Sequence, residues 1–340
     1  MSLNKFLDMK AQKAIGRIGV VTSGGDAPGM NAAVRSVVRT AIDNKLEVIG
    51  ILGGFAGLLD KQFIELQSHS VSKIISRGGT ILKSSRCPKF KEPSARKLAY
   101  NNLKERGIDA LIVIGGDGSF RGAGLMQQEF GLPVIGIPGT IDNDIYGTDS
   151  TIGFDTALNT AVWAIDNIRD TADSHNIIFF VEVMGRNSGF IALYTSIACG
   201  AEAVLIPEVD RDLKELSSYL ELGRRKNKSS GIVVVAEGVK GVAGAGAAGV
   251  MSRVKEYLPN YDTRLTTLGH IQRGGSPSGR DRILASILGH QAVNALIEGE
   301  KGVMVGIIRN EPVLTSFEDV FANKSQIKKE LYQVSRILSL

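Results

Sequence analysis

The sequence predicts an α/β protein of two doubly wound (Rossmann-like) domains, with mostly parallel sheets in three-layer sandwiches. Short β-rich runs alternate with helix-length patterns from end to end, as βα units do. The runs are continuously apolar, which suits parallel strands covered on both faces. Glycine, 40 residues in all, clusters where those runs end. At about 150 residues per domain, a 340-residue chain indicates two domains.

The elements follow in order. "RIGVVTS" at 17–23 opens the first unit, and a helix over 30–44 follows. Met30, Val34, Val37, Val38 and Ala41 make its buried stripe at three- and four-residue spacing. "EVIGIL", "ALIVIGG", "PVIGIPG", "IIFFVEV", "AVLIPE", "GIVVVAEG" and "VMVGII" are the further strands. Helix-length patterns over 95–106, 151–172, 188–199 and 280–298 separate them. "GVAGAGAAGV" at 241–250 reads as a flexible loop. It contains G-x-G-x-x-G at 244–249, but not directly on a strand end and with no acid-tipped strand about 20 residues on. A dinucleotide fingerprint is therefore set aside.

Composition narrows the function. The chain is 43% hydrophobic and 22% charged, with a formal charge of +5. No basic block exceeds Arg224–Lys226, and aromatics are only 6% without basic interleaving, which argues against nucleic acid. Cys87 and Cys199 are the only cysteines, too few for a disulfide framework or zinc spacing. No run approaches the ~18 apolar residues of a membrane helix, and the first residues do not read as a signal peptide. A cytoplasmic setting is expected.

Glycines at strand ends are where a parallel sheet binds anions. In "SGGDAPGMNAAVR" Gly24 and Gly25 let a phosphate approach the backbone at a helix start. Arg35 and Arg39 are i,i+4 neighbours, either a solvated face or a grip on a second anion. "IGGDGSF" repeats the logic: Asp117 could hold a hard cation or cap a helix, and Gly118 and Ser119 offer N–H groups. "SRGGTILKSSRCPKF" adds Arg77 and Arg86, loop arginines suited to stabilising a transferring phosphoryl group. Arg186 sits at another strand end, and His270 with Arg273 and Arg264 reads as a phosphate cluster. His69, His175 and His290 read as structural. "PGTIDNDI" places Thr140, Asp142 and Asp144 at alternate positions, so on an extended segment all three face one way.

Together, "TSGGDAPGMNAAVR", "RGGTIL…SRCPKF", "IGGDGS", "PGTIDNDI", "GFDTALNT", "EVMGR", "VVAEG" and "LGHIQRGGSP" resemble, in this order, the bacterial 6-phosphofructokinase family. The likeness runs over roughly residues 17 to 338. It implies phosphoryl transfer from ATP to the 1-hydroxyl of fructose 6-phosphate, in a cleft between a nucleotide domain (15–153 plus 272–322) and a sugar-phosphate domain (154–271 plus 323–340). Gly25, Arg86, Cys87 and Gly116–Ser119 would hold ATP, with Mg2+ on Asp117 and support from Asp144. Asp142 would be the base beside Thr140 and Ile141; even at an ordinary pKa it could serve, because the proton leaves late in a loose transition state. Met184, Gly185, Arg186 and Glu237 would position the sugar. His270, Arg273 and, from a neighbouring subunit of a homotetramer, Arg264 would hold its 6-phosphate. An effector site for ADP or phosphoenolpyruvate would use Arg35, Arg39, Arg169, Glu202, Lys226 and Lys228.

Relatives that use pyrophosphate carry an aspartate and a lysine where this chain has Gly118 and Gly139. Gly118 leaves room for an α-phosphate, which favours ATP. Three departures stand out. Ile177 replaces an interface arginine, a loss of about 1.5–3 kcal/mol of substrate binding. Lys73 replaces a usual acid, and Gly279–Arg280 a usual apolar pair. Ile177 alone supports a rival reading as a catalytically weak regulatory paralogue.

Overall fold

The computed structural model describes residues 15–210, 212–225, 230–241 and 244–339. In chain order these form β1 (Arg17–Ser23), α1 (Met30–Asp43), β2 (Glu47–Ile51), α2 (Gly54–Leu59), β3 (Phe63–Leu66), α3 (Pro93–Glu105), β4 (Ala110–Gly115) and α4 (Asp117–Phe130). Next come β5 (Val134–Pro138), α5 (Phe154–His175), β6 (Ile178–Val183), α6 (Phe190–Cys199), β7 (Ala203–Leu205), α7 (Leu213–Arg225) and β8 (Gly231–Ala236). β9 (Lys240–Gly241), β10 (Gly244–Ala245), α8 (Gly246–Tyr257), β11 (Thr263–Thr267), α9 (Gly279–Ile297), β12 (Val303–Ile308), β13 (Glu311–Ser316), α10 (Phe317–Ala322) and α11 (Lys329–Leu338) complete the order.

The chain divides into two compact units. The first holds the described residues up to Thr140, Ile145–Ile152 and Ser276–Lys324. Its sheet runs β13-β12-β5-β4-β1-β2-β3, parallel except for β3 and β13 at the two edges. The expected stripe of α1 is fully buried, Met30, Val34, Val37, Val38 and Ala41 alike. The chain winds outward from β1 through β2 on one side and from β4 through β5 on the other. The reversal falls between β1 and β4, which is where such sheets bind ligands.

The second unit holds Ile141–Asp144, Gly153–Gly275 and Ser325 onward. Its sheet is β11-β6-β8-β7, all parallel. Phe180, Leu216, Val233, Val235, Val250 and Val254 fill one face of it.

The segment read as a flexible loop is ordered from Gly244. It makes a short antiparallel ladder with β9 and then starts α8, while residues 242–243 lie outside the described residues. Its anchor is Glu182 on β6, whose Oε2 accepts from Ala247 N at 2.8 Å at the helix start. A carboxylate thus occupies the position a pyrophosphate would take, as the positive end of a helix favours. Gly246 has φ +78°, and a Cβ there would stand 2.1 Å from Glu182 Oε2. Gly246→Ala is therefore expected to destabilise the fold by about 2 kcal/mol, read as a lower urea midpoint.

Candidate active site

In the first unit, strand register gathers one set of the candidate residues. Ser23 of β1 pairs with Gly115 of β4, which sets Gly24–Gly25 beside Gly116. Gly115 in turn pairs with Pro138 of β5, and Gly139 N donates to Gly115 O, which brings Thr140 alongside. Thr151 fixes the Thr140 carbonyl through its hydroxyl at 2.6 Å. Ser119 is buried at the base of the turn, and Asp117 and Gly118 are exposed above it. Asp117 is the first residue of α4 with Gly116 as the N-cap, so it is not the cap that an isolated G-G-D suggests.

The loop carrying Arg77, Arg86 and Cys87 is held from beneath. Buried Asn31 donates to the carbonyls of Arg77 and Gly78 and accepts from Ile81 N at 2.7 Å. The Ser84 and Ser85 hydroxyls reach Gly24 O and Gly53 O, each at 2.6 Å. The 3-10 turn Pro88–Lys91 follows Cys87, and buried Arg96 donates to Phe90 O and Lys91 O. Glu129 clamps Arg96, each partner holding the other in its charged form. Arg86 stands exposed and Cys87 half-buried on this support. Except for the two local Arg96 bonds, these supports join residues 32 or more positions apart, beyond the reach of a motif.

In the second unit, Val183 of β6 pairs with Ala236 of β8, so Met184–Arg186 and Glu237 leave adjacent strand ends. Glu237 Oε1 accepts from Gly185 N at 3.2 Å and Arg186 N at 2.7 Å. Arg186 takes the left-handed conformation, φ +52°, and its side chain is exposed. Gln272 is fully buried, and its Oε1 accepts from Met184 N. It lies inside "HIQRGG", between His270 and Arg273.

Asp142 is the centre of this cluster. It is 4% exposed, and the Ser188 hydroxyl donates to its carbonyl at 3.0 Å. Its carboxylate lies 3.9 Å from Arg186 Nε and 4.0 Å from Arg273 Nη2. Burial raises its pKa above the ordinary carboxylate value; Arg273 and then Arg186 pull it back, and Glu237 pushes it up. Desolvation outweighs both guanidiniums, so Asp142 is a stronger base than the ordinary aspartate that the transfer would already tolerate. A carboxylate that must accept a proton works only when ionised. Arg273→Gln is therefore expected to move the acid limb of the kcat/KM profile to higher pH, since it removes the strongest pull holding the carboxyl ionised.

One further expectation is corrected. Asp142 and Asp144 do not face one way, because Asn143 between them turns left-handed at φ +53°, burying Asp142 and exposing Asp144. The Ile141 side chain is fully buried, which leaves only its backbone for a ligand. Of the phosphate cluster, Arg273 is buried against Asp142, His270 is exposed, and Arg264 is ion-paired with Asp262. Ile177 is buried at the start of β6.

Among the effector candidates, Arg169 approaches Glu202 at 3.8 Å and donates to Cys199 O at 2.7 Å. Arg35 and Arg39 share one face of α1, and burial together with Arg39 lowers the pKa of Arg35. Lys226 and Lys228 lie outside the described residues.

Among the described residues no group of three or more histidines, cysteines and acids is arranged to cage a metal. Asp117 as a single exposed carboxylate beside glycine N–H groups suits Mg2+ held by one protein oxygen, phosphates and water.

The phosphofructokinase family profile matches residues 17–296. The chain belongs to the phosphofructokinase family. It is 53% identical to ATP-dependent 6-phosphofructokinase 2 of Bacteroides thetaiotaomicron, covering 95% of this chain and 98% of that one. It is 52% identical to ATP-dependent 6-phosphofructokinase 1 of Thermus thermophilus, covering 95% and 99%. The crystal structure of Pichia pastoris phosphofructokinase in the T-state superposes with a TM-score of 0.86 at 37% identity, over 92% of this chain. This chain spans 36% of that chain's length. Among the described residues no helix is long and apolar enough to cross a membrane.

Proposed function

We propose that this chain transfers the γ-phosphoryl group of ATP to the 1-hydroxyl of D-fructose 6-phosphate, giving fructose 1,6-bisphosphate and ADP, the phosphofructokinase step of glycolysis. The observation that carries this reading is the buried Asp142 carboxylate set between the Arg186 and Arg273 guanidiniums. It supplies a base whose proton affinity is raised by burial, with the Arg186 charge beside it where phosphoryl oxygens would gather.

Each step falls to a residue already described. Gly25 and Gly116–Ser119 take the phosphates of ATP on their backbone N–H groups, with Arg86 and Cys87 alongside. Asp117 holds Mg2+, which when bound neutralises charge on the phosphates; Asp144 supports that region. Thr140 meets the transferring group, and Met184, Gly185 and Glu237 hold the sugar. Asp142 takes the proton of the 1-hydroxyl, and Arg186 stabilises charge on the group in transfer. His270 and Arg273, with Arg264 of a second copy in a homotetramer, bind the 6-phosphate. ADP or phosphoenolpyruvate acts as effector at Arg35, Arg39, Arg169 and Glu202, with Lys226 and Lys228, and the enzyme works in the cytoplasm.

ATP is favoured over pyrophosphate by two glycines. A Cβ on Gly118 would meet nothing within 4 Å, so the space beside the turn is open to an α-phosphate. A Cβ on Gly139 would crowd Ile114 and Met30 at 3.1 Å, which leaves no ready place for a lysine. Purified protein given fructose 6-phosphate and either donor is expected to turn over with ATP. Turnover with pyrophosphate alone would overturn the donor, and turnover with neither would support the weak paralogue.

A further inference from the structure

Arg121 lies one helical turn beyond Asp117 on α4, and its Nε donates to Asp117 Oδ2 at 2.9 Å. Its guanidinium rests over the Phe321 ring, 4.7 Å from the centroid. Phe321 is itself stacked on Phe317, so this flat seat is fixed within α10. Both charged side chains stay about half exposed, 53% and 51%. An exposed i,i+4 pair of this kind is weak and exchanges readily.

We propose that Arg121 is a built-in competitor for the Asp117 carboxylate, and that it sets the free divalent cation concentration at which ATP is bound. The inference rests on the reading of Asp117 as the residue that meets the cation. A cation arriving at Asp117 shares the carboxylate with a guanidinium held in place by Phe321, and like charges at that range repel. Removing the guanidinium leaves the carboxylate fully available. Nothing else in the transfer scheme requires Arg121.

Calorimetric titration of ATP at a series of free Mg2+ concentrations gives the midpoint for cation-dependent binding without turnover. In Arg121→Gln this midpoint is expected to fall about two- to fivefold. In Arg121→Lys, which keeps the charge, it is expected to stay near the wild-type value. A midpoint unchanged or raised in Arg121→Gln, in protein with an unaltered Tm, would overturn the proposal. So would an equal loss of ATP affinity with Mg2+ and with EDTA, which would make Arg121 a phosphate ligand. If wild-type binding of ATP does not depend on Mg2+ at all, the reading of Asp117 fails and this inference with it.

Discussion

Asp142→Asn is expected to lower kcat by about 10²–10⁴-fold while KM for fructose 6-phosphate changes little. The substitution keeps the shape of a buried side chain whose backbone the Ser188 hydroxyl holds, so the surroundings have little reason to move. What it removes is the oxygen proposed to accept the hydroxyl proton. Steady-state kinetics with both substrates varied will check this; a large rise in KM with kcat intact would show a binding role instead. The same carboxyl also affects stability. Its pKa is raised in the native state, so the native chain binds this proton more tightly than the unfolded one does. The stability it contributes is present at low pH and is lost as pH rises through that raised pKa. Asp142→Asn is expected to abolish this part of the pH dependence, as chemical denaturation at several pH values would show.

Arg186→Gly is expected to cost about 10²–10³-fold in kcat without loss of stability. Arg186 holds a left-handed conformation that glycine adopts freely and arginine does not. Glycine relieves that strain, so the Tm is expected to hold or rise, by the equivalent of about 1 kcal/mol. Glu237 would still grip the Gly185 and Arg186 N–H groups. Activity and stability thus move in opposite directions, the mark of strain kept for function. Parallel kinetic and thermal measurements on one preparation will check this, and equal losses of both would make Arg186 a structural residue.

The parallel core of both sheets was legible because buried strands are unbroken apolar runs. The strands that escaped notice lie at edges or in short ladders. β3 and β13 are antiparallel edges, and β13 carries Pro312, which an edge tolerates. β11, "TRLTT", is largely polar because it borders its sheet and is mostly exposed. α8 was hidden in a glycine–alanine run and is fixed by Glu182, more than one element away.

Much of the site was legible because strand ends followed by glycines are contiguous in sequence. The contacts that tune it were not. Arg273 reads as a phosphate ligand from its neighbours, and only the fold brings it to Asp142. The alternation of Asp142 and Asp144 misled because a single left-handed residue, Asn143, cancels the two-residue period. The pairing of Asp117 with Arg121 is an i,i+4 spacing on a helix and could have been read from sequence.

The most direct test is phosphorus NMR of the purified protein with ATP, Mg2+ and fructose 6-phosphate. Phosphoryl transfer to the 1-hydroxyl predicts a second sugar phosphate ester resonance that grows in step with ADP. ATP consumed without that ester, or no change at saturating sugar phosphate, would contradict it.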